Sequence, residues 1–330
     1  MLIPSRGRLT TLVLASALVA GCSPNNSGTT STTCTDLAEM PEATVPAVAG
    51  TVFTIVIENH SRDQIIGSKD APFLTGLAKE YTEARGYHDT FVHPSEANYL
   101  WMVAGENFDV LDDDEPTAHH LTSTSHLVDQ IERAGMTWHA YQEGMGQPCG
   151  LKSHGRYGAK HNPFIYFNDV NGWDGSEFQP SARCTDNVVD YSELDTDIAN
   201  GTVADYVFIT PDLDNDMHDG SIRDGDLWLE REVTKIMASA AYQKGGVIFV
   251  LGDEGGGYPR GDDPPFVMIS EAARKGTVSQ IDYDTSSYLK TVEKLMGLAE
   301  LPCVPTRSEV AAMTDLFADG VFTGSATAPL

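Results

Sequence analysis

The stretch Val52-Phe-Thr-Ile-Val-Ile-Glu-Asn-His60 indicates the fold class. Its first six residues form a near-continuous apolar run, which is typical of a strand buried on both faces of a parallel sheet. Similar runs lie at 207–209 and 247–251, and residues 266–269 are a candidate fourth strand. Helices are predicted between them at about 72–84, 125–134, 226–241 and 286–298. This alternation predicts an α/β fold, a three-layer αβα sandwich with a mostly parallel sheet.

Polar residues follow three of the predicted strands at the point where each strand ends. Glu58-Asn59-His60 follows the first, residues 211–218 follow the second, and Asp253-Glu254 precedes three glycines after the third. Ligands of open α/β sheets bind at the carboxyl ends of the strands. The sequence therefore predicts a functional site at this edge.

The acids at this edge need a partner of opposite charge. Carboxylates crowded into a cleft must be relieved by protonation or by a cation, and a hard divalent ion is the natural oxygen-bound partner. A mixed nitrogen and oxygen site with His161 or His218 stays open. For Asp212 and Asp214, helix capping is an equally good interpretation. The acids concerned are Glu58, Asp212, Asp216, Asp253 and Glu254.

Ser95 lies at a predicted strand-to-helix turn. Pro94 ends the extended stretch 87–92, and the residues from Glu96 onward favour a helix. The helix N-terminus would supply amide donors and a positive dipole end. Ser95 is therefore either an N-cap or a nucleophile activated by a metal. Asn98, one turn later, is placed to contact a phosphoryl oxygen.

The N-terminus predicts export. Basic residues precede an apolar run at 9–20, too short to span a bilayer but typical of a signal peptide. Val19-Ala20-Gly21-Cys22 resembles the lipobox of bacterial lipoproteins. We therefore expect a lipoprotein signal peptide at 1–21, an acylated Cys22, a flexible stalk at 22–49 and a location at the cell envelope or outer face of a membrane. The alternative is an ordinary signal peptide with a chance cysteine.

The other cysteines suggest two disulfides, because an even number remains after Cys22 in an exported chain. Three pairings are possible, and Cys149–Cys184 with Cys34–Cys303 is favoured. The formal charge of -27 argues against a nucleic-acid partner. Residues 50–330 are predicted to form a single domain, with an excursion over the sheet at about 143–193. The oligomeric state stays open.

Many ordered motifs resemble one family, the bacterial phosphoesterases that include acid phosphatases and phosphatidylcholine-type phospholipases C, within the alkaline phosphatase superfamily. The resemblance implies an alkaline phosphatase-like fold. It covers about residues 53–298, and its motifs are Glu58-Asn59-His60-Ser61, His93-Pro94-Ser95 through Leu100, Asp129 through Tyr141, Lys160-His161-Asn162-Pro163-Phe164, Thr210-Pro211-Asp212 through Asp219, Gly225 through Leu229, and Asp253-Glu254-Gly255-Gly256.

This resemblance implies a set of metal ligands, namely Glu58, Asn59, Asp253 and Glu254. The ion is divalent and of open identity: calcium, magnesium, manganese or zinc. Asp216 is expected either to join the metal shell or to hold His218.

The resemblance also implies the catalytic residues. Ser95 would be the nucleophile and would form a phosphoserine, with Asn98 on a phosphoryl oxygen. His161 and His218 would contact the phosphoryl group or protonate the leaving group. One departure is that Asp284-Thr285-Ser286 stands where relatives usually carry a histidine.

These residues are compatible with three functions, and the expected substrate of the two enzymes among them is a phosphorylated small molecule or a phospholipid. The first is a phosphomonoesterase. The second is a phospholipase C acting on lipid headgroups, which needs an apolar wall, for which the candidates are Trp101, Trp138, Phe164, Tyr166 and Trp173. The third is a non-catalytic, metal-dependent surface binding protein, against which the presence of Ser95 beside the acids argues.

Overall fold

The computed structural model describes residues 41–256, 263–301 and 311–322. Its strands are β1 Val52–Ile57, β2 Thr82–Ala84, β3 Tyr87–His88, β4 Trp138–Gln142, β5 Val188–Asp190, β6 Tyr206–Thr210, β7 Val247–Gly252, β8 Phe266–Ile269, β9 Thr277–Ser279 and β10 Tyr283–Asp284. Its helices are α1 Arg62–Ile65, α2 Pro72–Glu80, α3 Ser95–Ala104, α4 Leu127–Arg133, α5 Asn168–Asn171, α6 Ala182–Asn187, α7 Glu193–Asn200, α8 Ile222–Ala238, α9 Ala240–Gln243 and α10 Thr285–Leu295.

The central sheet has eight strands in the order β5-β4-β6-β1-β7-β8-β2-β9. Strand β1 lies in the middle and pairs in parallel with β6 and β7. All six of its residues are buried, as expected for a strand covered on both faces. Strand β8 is antiparallel to both β7 and β2. The predicted α/β fold with a mostly parallel sheet is confirmed, with β8 as the antiparallel member.

The largest differences from the prediction are in the bounds of two helices. The helix predicted at 72–84 ends at Glu80, because residues 82–84 form β2 between β8 and β9. Pairing across the sheet thus overrides the helical pattern. The helix predicted at 226–241 begins at Ile222 and ends at Ala238, and the Ser239 side chain then caps α9.

The predicted excursion leads to an edge of the sheet. Residues 143–193 contain α5, α6 and β5, and β5 returns to pair in parallel with β4. A disulfide joins Cys149 to Cys184, as predicted. It joins the beginning of the excursion to α6 near its end, and the bridge is buried.

The N-terminal predictions fall mostly outside the described residues. These are the signal peptide, Cys22 and the Cys34–Cys303 pair. The end of the predicted stalk is attached to the domain, because backbone N–H groups of Thr44 and Ala47 donate to Gly297 and Leu295 at 2.7 Å each. The packed domain therefore begins before residue 50. Within the described ranges, every helix is too short or too polar to cross a bilayer.

Candidate active site

Backbone hydrogen bonds bring the three predicted polar clusters together. The N–H of Glu58, after β1, donates to the carbonyl of Asp216 at 2.8 Å. The N–H of Asp253, after β7, donates to the carbonyl of Ile57 at 3.2 Å. Since β1 lies between β6 and β7, the residues that follow these strands meet at one edge of the sheet.

Glu58 is fully buried at the centre of the site. Its Oε1 accepts a hydrogen bond from the hydroxyl of Tyr99, and its Oε2 accepts one from Oγ of Ser95 at 3.2 Å. Burial, with the nearby Asp216 carboxyl, raises the pKa of Glu58 to about 8. A cation bound here would restore the ionised form.

Asp253 and Asn59 present polar atoms without protein partners. Oδ1 of Asp253 accepts from the backbone N–H of Asn59 at 3.4 Å. Oδ2 of Asp253 and Oδ1 of Asn59 are buried and have no hydrogen-bond partner among the described residues. Burial and the Glu58 carboxyl raise the pKa of Asp253 well above its usual range. Buried oxygens left unpaired are costly, so these atoms fit a bound cation.

Asn59 has the backbone conformation that this placement needs. Its φ of 49° lies in the left-handed region, which asparagine tolerates better than most residues. The turn begins immediately after β1 ends. This conformation directs the backbone N–H of Asn59 toward Oδ1 of Asp253.

Glu254 is hydrogen-bonded to His93 and Asn98, two residues of the segment that carries Ser95. Its Oε2 bonds to Nδ1 of His93 and accepts from Nδ2 of Asn98 at 3.2 Å. The Asn98 amide also donates to the carbonyl of Val92 at 2.9 Å. Both N–H groups of Asn98 are therefore engaged in this arrangement, and its predicted contact with a phosphoryl oxygen stays a prediction. Burial raises the pKa of Glu254.

Asp216 faces His161 rather than the ring of His218. Its Oδ1 accepts from the backbone N–H of His218 at 2.7 Å, and its Oδ2 lies 3.4 Å from Nδ1 of His161. Burial raises the pKa of Asp216 to about 8. Asp216 thus contacts the backbone of His218 and the ring of His161, and its role in the metal shell stays a prediction.

His161 is enclosed by acids. Its Nε2 lies 3.5 Å from Oε2 of Glu58, and ligand atoms of Glu58, His161 and Asp216 all lie within 4.8 Å of one another. Burial lowers the pKa of His161 well below its usual range, which favours the neutral ring that metals bind. The donor set therefore fits a divalent cation with oxygen ligands and one available nitrogen.

His218 lies further out. Its ring centroid is 5.8 Å from that of His161, and its Nδ1 lies 2.8 Å from Oδ1 of Asp219. The side chain is 26% exposed, against 1% for His161. Of the two predicted histidines, His161 is therefore buried among the acids, and His218 is nearer to solvent.

Ser95 is the first residue of α3, and Pro94 occupies the N-cap position. The Ser95 hydroxyl donates to Glu58 and does not cap the helix. The simple capping interpretation therefore does not hold, and the hydroxyl lies inside the acidic site at the helix N-terminus.

Two neighbouring acids have structural roles. Oδ1 of Asp212 accepts from the backbone N–H groups of Asp214 and Asn215 at 3.0 Å each. At the position of the missing histidine, Asp284 caps α10 through the N–H of Ser287 at 3.0 Å. Ser286 accepts from the Trp101 indole at 2.7 Å. These contacts fit a packing role for the start of α10, and a change in leaving-group chemistry stays a second prediction.

The aromatic residues proposed as an apolar wall do not form one. Trp138, Phe164 and Tyr166 are buried in the core. Trp101 bonds to Ser286, and Trp173 stacks on His120 with ring centroids 4.1 Å apart.

Sequence reasoning gave no role to two residues that the structure places in the site, Tyr99 and His93. Both belong to the segment around Ser95. Their proximity to Ser95 was the available signal, but their partners, Glu58 and Glu254, are distant in sequence.

The sequence is similar to that of known phosphatases. The phosphoesterase family profile matches residues 68–299. A phosphatidylinositol-3-phosphatase of Mycobacterium tuberculosis is 30% identical over 270 residues, which are 81% of this chain and 83% of that protein. A probable acid phosphatase of Kluyveromyces lactis is 27% identical, and the match covers 81% of this chain and 63% of the yeast protein.

Solved structures support the fold alone. A protein of the alkaline phosphatase superfamily from Vibrio parahaemolyticus superposes with a TM-score of 0.57 at 12% identity, covering 84% of this chain and 73% of the other. A phosphonate monoester hydrolase from Silicibacter pomeroyi gives a TM-score of 0.51 at 13% identity, with coverage of 80% and 76%. The family match and the identity to the mycobacterial phosphatase establish the family. The chain therefore belongs to the phosphoesterase family and is a hydrolase of phosphate esters.

Proposed function

We propose that the protein is a metal-dependent phosphomonoesterase that acts through a phosphoserine at Ser95. The observation that supports this most directly is the hydrogen bond from Oγ of Ser95 to Glu58, 3.2 Å, at the N-terminus of α3. It places a hydroxyl beside a group of buried acids in which Oδ2 of Asp253 and Oδ2 of Asp216 have no hydrogen-bond partner among the described residues.

Glu58, Asn59, Asp253 and Glu254 are the proposed ligands, with Asp216 beside them. A bound divalent ion, whether calcium, magnesium, manganese or zinc, would lower the pKa of the Ser95 hydroxyl and offset charge on the phosphoryl oxygens. The unpaired oxygens of Asn59 and Asp253 support this assignment.

The chain's own residues then perform the transfer. Oγ of Ser95 releases its proton to solvent and forms a bond to phosphorus as the bond to the leaving alcohol breaks, and the amide groups at the start of α3 stabilise the phosphoryl oxygens. We assign the proton for the leaving alcohol to His218, since its ring lies nearer to solvent than that of His161. Water then cleaves the phosphoserine and releases inorganic phosphate.

A monoester is the preferred substrate. The names of the two relatives describe a phosphatidylinositol-3-phosphatase and an acid phosphatase, both of which denote removal of a phosphate monoester. A phospholipase C lacks support, because three of its five candidate wall residues are core residues. A lipid carrying a phosphomonoester headgroup remains within the proposal, as does attachment to the membrane through an acylated Cys22. The mass of the mature N-terminus tests that anchor.

The test is turnover of p-nitrophenyl phosphate beside p-nitrophenyl phosphorylcholine, a diester. We expect hydrolysis of the monoester only, lost on chelation and restored by one of the four candidate ions. Ser95→Ala should abolish turnover, and acid-quenched wild-type protein should carry phosphate on Ser95 by mass spectrometry. Ser176→Ala, on an exposed turn, is the matched control and should keep full activity.

Other outcomes would decide against the proposal. Turnover of only the diester would favour the phospholipase. Binding without turnover of either would favour the binding protein. Full activity in Ser95→Ala would remove the phosphoserine step.

A further inference from the structure

We propose that the protein has a second cation site, formed by Glu96, Asp112 and His119, that takes a zinc- or manganese-class ion. The site is separate from the ligands of the phosphoester centre, and its existence does not depend on the proposed function. The carboxylate and imidazole donors of the three residues lie within 4.8 Å of one another.

Glu96 is the observation that points to a ligand. The residue has no exposed surface, and both of its carboxyl oxygens lack a hydrogen-bond partner among the described residues. The hydroxyl of Tyr166 is close enough to Glu96 to lower the pKa of its carboxyl, but Tyr166 has a single proton and donates it to the carbonyl of Asp114 at 2.9 Å. A buried acid without a donor of its own is costly, and a cation would remove that cost.

The other two donors lie at the outer side of Glu96. Nε2 of His119 is 2.6 Å from Oδ1 of Asp112, and the two side chains are 19% and 50% exposed. The cluster is thus closed by Glu96 on the inside and reached from solvent through Asp112. A buried ligand with a solvent-accessible entrance is what a metal site requires.

The charges around the cluster favour a cation. Asp113 and Asp114 follow Asp112 directly, and all three act on the Glu96 carboxyl as like charges. The Lys160 ammonium pairs with Oδ2 of Asp113 at 2.8 Å. It therefore neutralises Asp113, whereas Asp112 is paired with His119, so an ion bound here would take the place of the proton between those two side chains.

The donor types select the class of ion. One imidazole nitrogen and two carboxylates suit zinc or manganese better than calcium, which prefers oxygen ligands throughout. Glu96 directly follows Ser95 in the first turn of α3. An ion here would therefore connect the loop at 112–119 to the turn that carries the nucleophile.

The experiment measures bound metal in the full-length protein. Chelator-treated protein is equilibrated with Zn²⁺, desalted and analysed for zinc, in parallel with His119→Ala and Glu96→Gln. Asp253→Asn serves as the background in which the phosphoester centre is weakened. In both backgrounds we expect His119→Ala and Glu96→Gln to lose about one equivalent of zinc. A crystal grown with zinc should show an anomalous peak between the three side chains.

Controls separate this site from the first. His154→Ala removes an exposed histidine that is not among the three ligands and should keep the wild-type zinc content. An unchanged zinc content in both His119→Ala and Glu96→Gln would overturn the proposal and leave Glu96 as a protonated acid. A failure of the proposed phosphatase activity would appear in turnover, and it would leave the zinc difference between these variants intact.

Discussion

The ring of Tyr99 lies parallel to the ring of His161, with centroids 5.0 Å apart and an angle of 11° between their planes. The Tyr99 hydroxyl also donates to Glu58, the acid that accepts from Ser95. One side chain of α3 thus holds both an acid and a histidine of the site. Neither contact reaches the reacting atoms, so Tyr99 is a positioning residue.

We expect Tyr99→Phe to separate these two contacts, because it keeps the stacked ring and removes the hydroxyl. Loss of a hydrogen bond that orients a metal ligand typically reduces activity or metal affinity by about 10- to 100-fold. Steady-state kinetics at increasing metal concentration checks this. The change should be partly rescued at high metal, whereas an effect independent of metal concentration would argue against the positioning role.

Asp253→Asn should have opposite effects on activity and on the stability of the metal-free protein. Phosphatase activity should fall to background, because a ligand is lost. Without metal, the variant should be roughly 1 to 3 kcal/mol more stable near pH 8. The folded protein must hold a proton on Asp253, which is buried beside Glu58 and Glu254, whereas asparagine is neutral in both the folded and the unfolded state. Denaturant unfolding in excess chelator measures this. A less stable variant would show that these acids are not in conflict.

We expect the buried Glu293 to make the free energy of unfolding depend on pH, independently of catalysis. Burial raises the pKa of this fully enclosed acid to about 8, from an ordinary value of 4.5. The folded state therefore holds a proton that the unfolded chain releases, so the free energy of unfolding falls as pH rises from about 4.5 to about 8.

Glu293→Gln should flatten this dependence and stabilise the protein by roughly 2 kcal/mol at pH 8.5. The substitution should have a small effect at pH 5. The N–H of Leu301 donates to Oε1 of Glu293 at 2.7 Å, and the glutamine oxygen can accept the same hydrogen bond. Denaturation curves across this range provide the measurement, with the exposed Glu230→Gln as control. Equal effects at both pH values would contradict the assignment.

Asp226 should stabilise a helix to which it does not belong. Its two carboxylate oxygens, on α8, accept from the N–H groups of Phe73 and Leu74 at 2.9 Å each. These groups lie in the first turn of α2, whose own N-cap Ala71 supplies no side-chain acceptor. Asp226→Ala should cost about 1 to 2 kcal/mol of unfolding free energy, as for lost N-caps. Asp226→Asn should cost less, and an equal cost would point to packing.

The central strands could be predicted from the sequence, because burial on both faces of the sheet requires a continuous run of apolar residues. Strands β1, β6 and β7 are covered on both faces, so their residues are apolar almost throughout. Strand β4 was missed, because His139 and Gln142 interrupt its apolar run. Strand β2 was assigned to a helix, since a three-residue strand is defined by its partners rather than by its own side chains.

The candidate site was predictable to the extent that it lies at strand ends. Glu58 and Asp253 follow strands directly, and their clustering follows from parallel pairing. The contacts of His93 and of Tyr99 depend on how α3 packs over that edge. No spacing in the sequence encodes such a contact.

The 194 positions between Asn59 and Asp253 set a time as well as a distance. At typical synthesis rates, Asp253 is made roughly 10 to 40 s after Asn59. Strand β1 cannot pair with β7 before then, and long-range strand pairing is itself slow. During most of that interval the growing polypeptide contains Ser95 and Glu58 but lacks Asp253 and Glu254. It therefore has no assembled centre that could hydrolyse an ester.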